Sequence, residues 1–529
     1  MHNKDKTCWN CPAAILKGNV EFRACGQSVS DIRNKISEEG LLIECARRPG
    51  LGMFEPSITF QQCPEWIETE YGLMLKDMRV MILGIDGYLG WTLGLKLAIL
   101  GCKVSGIDNY LRRRAVAEKG SKSVVPVAEM ETRLKTAKEV HDVDINFQEM
   151  DLLDRDKLAV FLEEVKPEAI IHYGEIPSAP YSMVDAEHAI KTQYNNTLGT
   201  LGVLFLIKEH CPEASIIKLG TMGEYGTPLT GRPIFEGLFP ADAVISWQGQ
   251  EWSMGGELTP RDPASFYHVS KVQDTFNVYE ACKYWWLRSY DIMQGVIFGV
   301  HTDEVSAHPD LRTRLDVDEW FGTVINRFVA QAVLGIPLTV YGSGEQIRGY
   351  LALEDAMECM TRLIVSPPEP GQYDVVNQLS ELYKVKELAE IVAKIGSQNH
   401  GLTVKIQRME NPRVEADEHP FLVVSKKLRE DHGYDPKTPL EKEIDRMFQL
   451  LLTPKIRERL ESIRESVFPQ TWWNGNHKKS MTLETYEPGT RSIEGYRPTL
   501  VTQTEKDETS PESPSIRTDE PKIHGDEDD

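Results

Sequence analysis

Tyr267 and Lys271 stand four positions apart in the segment Tyr-His-Val-Ser-Lys. On a helix that spacing sets both side chains on one face. A phenol with its ordinary pKa near ~10 is a poor base at neutral pH. A neighbouring ammonium and a second cation on a bound ligand both favour the phenolate. Lowering the phenol by ~3 units takes ~4 kcal/mol of differential stabilisation, at about 1.36 kcal/mol per unit. The pair therefore reads as a device for taking a proton from a hydroxyl. Thr221 ends an apolar run in Leu-Gly-Thr-Met-Gly-Glu-Tyr-Gly-Thr (219–227), where its hydroxyl can bond the same substrate group.

A second constellation precedes these residues. Gly84, Gly87 and Gly90 form Gly-Ile-Asp-Gly-Tyr-Leu-Gly directly after the apolar run Met78–Leu83, with Asp86, Tyr88 and Leu89 in the same turn. Residues without Cβ let backbone N–H groups approach a pyrophosphate, and the following helix offers its positive end. Asp108 closes the next run, 18 positions after Gly90. An acid there accepts from both ribose hydroxyls of the adenosine, which favours NAD over its 2′-phosphorylated relative. Asn109, Arg112, Arg113 and Arg114 follow, and an arginine beside the ribose can instead hold a 2′-phosphate. Asp151 and Leu152, after the third run, are placed to reach the adenine; Asp151 also reads as an ordinary helix N-cap.

The elements that must position these groups are legible as well. Met78–Leu83, Lys103–Ile107, Ile145–Gln148, Ala169–His172 and Ser215–Leu219 are short apolar runs. Helical stretches such as Leu89–Leu100 and Thr197–Lys208 lie between them. Continuous apolar strands alternating with helices predict a sheet covered on both faces. The expected fold is α/β: a Rossmann-type doubly wound parallel sheet over 76–300, with a smaller C-terminal substrate-binding subdomain over 301–475. A small Cys-containing N-terminal extension (1–75) and an acidic tail (476–529) flank it. The tail composition buries too little apolar surface to fold.

Composition narrows the function classes. The 529 residues carry a net charge of −22, and residues 505–529 hold ten acids against three bases. That balance argues against a nucleic-acid partner, which needs a basic face. No apolar run approaches the ~18–20 residues of a membrane span. Nine cysteines and no apolar leader predict a reducing cytoplasm. Cys8 and Cys11 make one knuckle of metal-binding spacing, but a second such pair is missing, so reduced thiols are expected and no metal is assigned.

Taken together, GIDGYLGW, DNYLRRR, SAPYSM, GTMGEYGT, SFYHVSK, QGVIFGV, LTVYGSGEQIRGYL and NPRVEADEH resemble, in order, the motifs of the UDP-sulfoquinovose synthase family. That family lies within the extended short-chain dehydrogenase/reductases of the NAD-dependent epimerase/dehydratase superfamily. The similarity runs from about Arg79 to about Leu450. It implies NAD as cofactor and oxidation of UDP-glucose at C4, with Tyr267 taking the proton and Thr221 assisting. Loss of water from C6, addition of a sulfite-level nucleophile and return of hydride would follow. By the same resemblance Glu224 is a candidate acid/base and His268 approaches the C6 side of the sugar. Arg348 and Arg413 would clamp the UDP phosphates, and Gln294 and Val296, at the end of the sixth strand, would border the nicotinamide and sugar. Implied partners are a nucleotide sugar, sulfite or a sulfur-donor protein, and a second copy in a homodimer. Relatives that make only 4-keto-6-deoxy sugars usually carry Asp-Glu after the threonine, whereas Met222-Gly223 stands here. The family's Gln-Arg before SAPYSM is replaced by Ile176-Pro177, removing a fixed cation. Another epimerase or 4,6-dehydratase, and a non-catalytic NAD or nucleotide-sugar sensor, are the competing expectations.

Overall fold

A computed structural model of the protein describes residues 74–227, 231–413 and 419–468, Trp473, and the backbone of Ala14–Leu16, Ile43–Cys45 and Thr499–Val501. The Cys8–Cys11 knuckle and most of the acidic tail lie outside the described residues. Thr499–Val501, within the span read as tail, forms a strand parallel to Leu422–Val424.

The glycine turn follows the central strand of a parallel sheet. The strands β1 (Arg79–Leu83), β2 (Lys103–Asp108), β3 (Ile145–Glu149), β4 (Ala169–His172) and β5 (Ser215–Leu219) match the expected runs within one residue at each end. After a hairpin, β6 (Val244–Trp247) and β7 (Gln250–Ser253), comes β8 (Arg288–Gln294). Three further segments, β9 (Val296–Phe298), β10 (Leu338–Tyr341) and β11 (Ile347–Ala352), lead to β12 (Tyr373–Gln378). The seven-stranded sheet runs β12-β8-β5-β4-β1-β2-β3, all neighbours parallel. Its order turns back on itself between β1 and β4, the crevice where ligands meet such sheets. The seventh strand comes from beyond residue 300, so the C-terminal region and the sheet interlock.

β8 stops at Gln294, and Val296 begins β9 in a different sheet, so the two do not share the end of one strand as expected. Gly295 is the break: a Cβ there would lie 2.7 Å from the Gly349 carbonyl oxygen. β9 pairs with β11, which pairs antiparallel with β13 (Glu381–Lys384). β10 pairs with β14 (Ile406–Met409). These small sheets pack on α5 (Val324–Val333), α6 (Val385–His400) and α7 (Leu440–Leu451), whose facing residues Phe328, Leu388 and Phe448 share one buried cluster.

On the nucleotide side α1 (Tyr88–Ile99) packs Trp91, Leu93, Leu95 and Leu97 into the core. On the other face α2 (Ala186–Gln193) continues through a π-turn (Tyr194–Leu198) into α3 (Gly199–His210), beside α4 (Phe266–Trp285). Cys102, Cys211, Cys282 and Cys359 are buried and unpaired, and burial pushes each thiol up to about 12. No helix among the described residues is long and apolar enough to cross a membrane. Nor do the described residues group three or more metal-binding side chains.

Candidate active site

The glycine turn is a cradle because each of its glycines has something where a Cβ would go. Gly84 adopts φ +87°, and a Cβ there would lie 2.6 Å from the Tyr173 carbonyl oxygen. At Gly90 it would lie 2.2 Å from the Gly84 carbonyl oxygen. Gly87 begins α1 with no side-chain cap and no acid in the first turn. The helix end is therefore left to an anion.

Asp108 accepts the Asp86 N–H at Oδ2 (2.8 Å) and the Tyr110 N–H at Oδ1 (2.7 Å). A carboxylate has about four acceptor sites, so two remain for a ribose diol. Burial and the Asp86 carboxylate hold Asp108 up, at about 6. Two of the three arginines that left the choice of coenzyme open are closed on carboxylates. Arg113 grips Asp86 with Nε at 2.8 Å and Nη2 at 2.7 Å. Arg133 reaches the same carboxylate at 3.0 Å. Arg112 grips Asp316 at 3.0 and 2.8 Å. With both forks closed on carboxylates, neither Arg112 nor Arg113 presents a free cation to a 2′-phosphate.

Asp151 lies two residues beyond β3, not on it. It accepts from Asn109 Nδ2 (2.8 Å) and the Leu153 N–H (2.9 Å), which ties the loop after β3 to the end of β2. Asp154, not Asp151, caps the next helix. Leu152 is buried, and its methyls fill the space above Gly174 and Gly199. Leu89 stays half-buried at the start of α1. Tyr88 turns its hydroxyl to the Gly299 carbonyl (2.5 Å), so only its backbone faces the turn's anion site.

α4 starts at Ser265, whose Oγ caps the His268 N–H, and the Tyr267 N–H is held by Ser182 Oγ at 2.9 Å. Lys271 is buried and ion-pairs with Glu175, from the loop after β4. Burial lowers Lys271 to about 8, against the pull of Asp274 and Asp291. Tyr267 is displaced the other way. Burial, Glu224 and Asp274 raise the phenol, with Arg112 opposing. The expected phenolate is thus not produced by this chain alone, and the second cation has to come from the bound cofactor.

Thr221 Oγ1 accepts the Gly223 N–H at 3.1 Å and so caps a short turn, Met222–Glu224. Met222 points into the core. Gly223 touches His268: a Cβ on it would lie 2.3 Å from Nε2, while Nδ1 meets Ser265 Oγ at 3.0 Å. Glu224 does not face the cavity as an acid/base would. Its carboxylate is fully buried, accepting the Thr221 N–H (3.2 Å) and the Thr275 hydroxyl (2.8 Å) beside Lys218 (3.3 Å). Lys218 also binds Asp291 at 3.2 Å. Leaving so many charges in a dry interior is costly unless all are paired, so this cluster reads as the footing of the Thr221 turn.

On the sugar side Gln294 Nε2 donates to Gln378 Oε1 at 2.7 Å. Val296 is half-buried one residue past the Gly295 break. Arg348 Nη1 meets His419 Nε2 at 3.1 Å. The Arg413 guanidinium lies 5.9 Å from the Tyr341 ring centre, and Arg327 lies 5.3 Å from it. Arg413 thus lies against β10 and His419 against β11. Ile176 is buried with Tyr181, Trp320 and Phe321, and Pro177, which stands where the family has its arginine, is exposed. Glu175, His419 and Tyr341 were missed by sequence reasoning. Tyr341 and His419 lie inside two of the quoted motifs, and Glu175 is a carboxylate just past the fourth apolar run.

A switch-point crevice with a glycine cradle, a ribose-facing acid and a Tyr/Lys helix defines a nicotinamide-dependent enzyme of the short-chain dehydrogenase/reductase type. The profile of the NAD dependent epimerase/dehydratase family matches residues 80–291. The UDP-sulfoquinovose synthase of Sulfolobus acidocaldarius is 41% identical over 396 residues, covering 75% of this chain and 98% of that protein. The chloroplastic UDP-sulfoquinovose synthase of Spinacia oleracea is 38% identical over 77% of this chain and 81% of its own length. A UDP-glucose 4-epimerase from Thermotoga maritima, solved with UDP-glucose, shares the fold with a TM-score of 0.52 at 17% identity, over 74% of this chain and 100% of that one. The chain belongs to the UDP-sulfoquinovose synthase family and is an NAD-dependent nucleotide-sugar enzyme.

Proposed function

We propose that the protein converts UDP-glucose and a sulfite-level nucleophile to UDP-sulfoquinovose. NAD+, when bound, supplies the acceptor and later the donor of hydride at C4. The residues that would hold it are the 84–90 cradle, Asp108 and Lys271. Tyr267 takes the C4 hydroxyl proton and Thr221 Oγ1 bonds the same oxygen. The C4 ketone acidifies C5–H, and His268 moves the proton that accompanies loss of water from C6. Glu224 acts at one remove, by holding the Thr221 turn. Arg348 and Arg413 bind the diphosphate, and Tyr341 offers a flat face to the base.

The observation that carries this reading is the contact between His268 Nε2 and Gly223. A dehydratase of the 6-deoxy type needs a carboxylate at that place, and here the imidazole fills it. Ile176-Pro177, in place of the family's Gln-Arg, leaves the sulfur anion without a fixed cation from that segment. Incubation with UDP-glucose, NAD+ and sulfite, followed by mass spectrometry, tests the proposal. A sulfonated nucleotide sugar supports it. An epimerised or deoxy sugar formed without sulfite would move the chain to the rival activity.

A homodimer is part of the same proposal. Ile190, Tyr194 and Leu198 recur every four residues and are 67%, 56% and 50% exposed. Phe205, Phe276 and Tyr284 extend this apolar face across α3 and α4. Light scattering should give twice the chain mass, and Leu198→Glu should halve it.

A further inference from the structure

The mechanism leaves one buried acid beside the active lysine unused. Glu175 is 5% exposed at its side chain and Lys271 1%, and they form an ion pair. Glu175 leaves β4 on a loop fixed by the Ile176 backbone, whose N–H and C=O both bond the Asn196 side chain, at 2.8 and 3.2 Å. The carboxylate is therefore aimed at Lys271 by the fold and does not wander. Its second oxygen has no hydrogen-bond donor. His172 lies 3.8 Å from that oxygen, and burial together with the two lysines keeps it neutral, at about 3.

We infer that Glu175 is a positioning residue for the proton chemistry: it holds the Lys271 ammonium in place and charged, so that Lys271 can in turn hold the Tyr267 phenolate. This rests on the roles proposed above for Tyr267 and Lys271. The other groups facing Lys271 do not replace it. Asp274, on the same helix, is itself pushed up to about 6. Asp291 on β8 is engaged with Lys218, Thr275 and Tyr373. Lys218 on β5 repels Lys271 while bonding its carbonyl oxygen at 3.1 Å. Glu224 faces Lys218 from the far side. Burial holds the Lys271 ammonium at about 8 in the intact chain, and loss of the Glu175 carboxylate would take it lower.

The direction of the effect follows. Activity needs Lys271 protonated, so it is lost as pH rises through the lysine's pKa. An opposite charge in contact raises that pKa by ~1–3 units. The wild-type holoenzyme should therefore keep its rate of nicotinamide reduction by UDP-glucose up to about pH 8. Glu175→Gln should bring the alkaline limb down by ~1–3 units, with NAD+ affinity changed less than ~3-fold. Glu175→Asp, which keeps the charge, should recover most of the limb. A wild-type limb well below about pH 8 would overturn the inference even if the glutamine variant did not fold. So would a Glu175→Gln limb that coincides with wild type, or glutamine and aspartate variants shifted alike. Tyr267→Phe is run beside them: if it still turns over, the underlying reading fails, and if it is inactive while the limb is unmoved, only this inference does.

Discussion

Gly223→Ala separates the two halves of the proposed reaction. The added Cβ would lie 2.3 Å from His268 Nε2, 2.5 Å from Cδ2 and 3.0 Å from Cε1. Ordinary contact needs ~3.5 Å, so the imidazole must withdraw by about 1 Å. The clash falls on the far end of a side chain, and the backbone need not move. Withdrawal stretches the 3.0 Å Ser265–His268 bond, worth ~1 kcal/mol, and takes the ring off its rotamer for ~0.5–1.5 kcal/mol more. A loss of ~1.5–2.5 kcal/mol leaves the protein folded. A catalytic group displaced by ~1 Å costs about 100-fold in the step it serves. Two assays read the two halves: absorbance of reduced nicotinamide with UDP-glucose alone, and mass spectrometry of the sulfonated product. The expected outcome is oxidation within ~3-fold of wild type and product formation down ~100-fold. Product at the wild-type rate, or both signals falling together, would refute the placement of His268.

Gly90→Ala puts a Cβ 2.2 Å from the Gly84 carbonyl oxygen and 2.9 Å from Ile85 Cα, both backbone, so α1 must retreat from the turn. NAD+ affinity should fall at least ~100-fold by calorimetry. Asp108 titrates at about 6, above its unfolded value, so it binds protons in the folded state that the unfolded chain releases. Its carboxyl therefore opposes folding above the titration, an effect relieved on acidification. The bound ribose needs the ionised form, so NAD+ binding should weaken as pH drops through about 6. Asp108→Asn should flatten that dependence. Lys218→Met leaves Glu224 and Asp291 buried without their shared cation, at 3.3 and 3.2 Å. Thermal unfolding should report a loss of ~3–5 kcal/mol, and the Lys218→Met/Asp291→Asn double variant should recover part of it.

The parallel strands were legible because a strand buried on both faces is a continuous apolar run, and β1 to β5 are such runs. The seventh, Tyr-Asp-Val-Val-Asn-Gln (373–378), is half polar and was not read as one. Its polar groups are satisfied by distant partners: Asn377 by Tyr225 and the Val424 carbonyl, Asp374 by Lys427. Pattern reasoning sees one segment at a time and cannot find those partners. The same blindness misplaced Val296, because the Gly295 break is set by the approach of Gly349. Thr221, Tyr267 and Lys271 could be singled out in the sequence since the chemistry proposed for them depends on type and spacing. Glu224 was misjudged because its burial depends on Lys218, Thr275 and Asp291, none of which a local motif displays. Glu175 lay beside a noted departure from the family pattern, yet only the fold brings it to Lys271.

The central claim is that a bound coenzyme oxidises the sugar at C4 with Tyr267 as the base, and that this makes C6 reactive. The most direct measurement follows UDP-glucose deuterated at C4 through one turnover with sulfite and unlabelled NAD+. The account predicts transient reduced nicotinamide, deuterium retained at C4 of the sulfonated product, and neither signal in Tyr267→Phe. Sulfonated product that forms with no reduced nicotinamide, or at an undiminished rate in Tyr267→Phe, would contradict it.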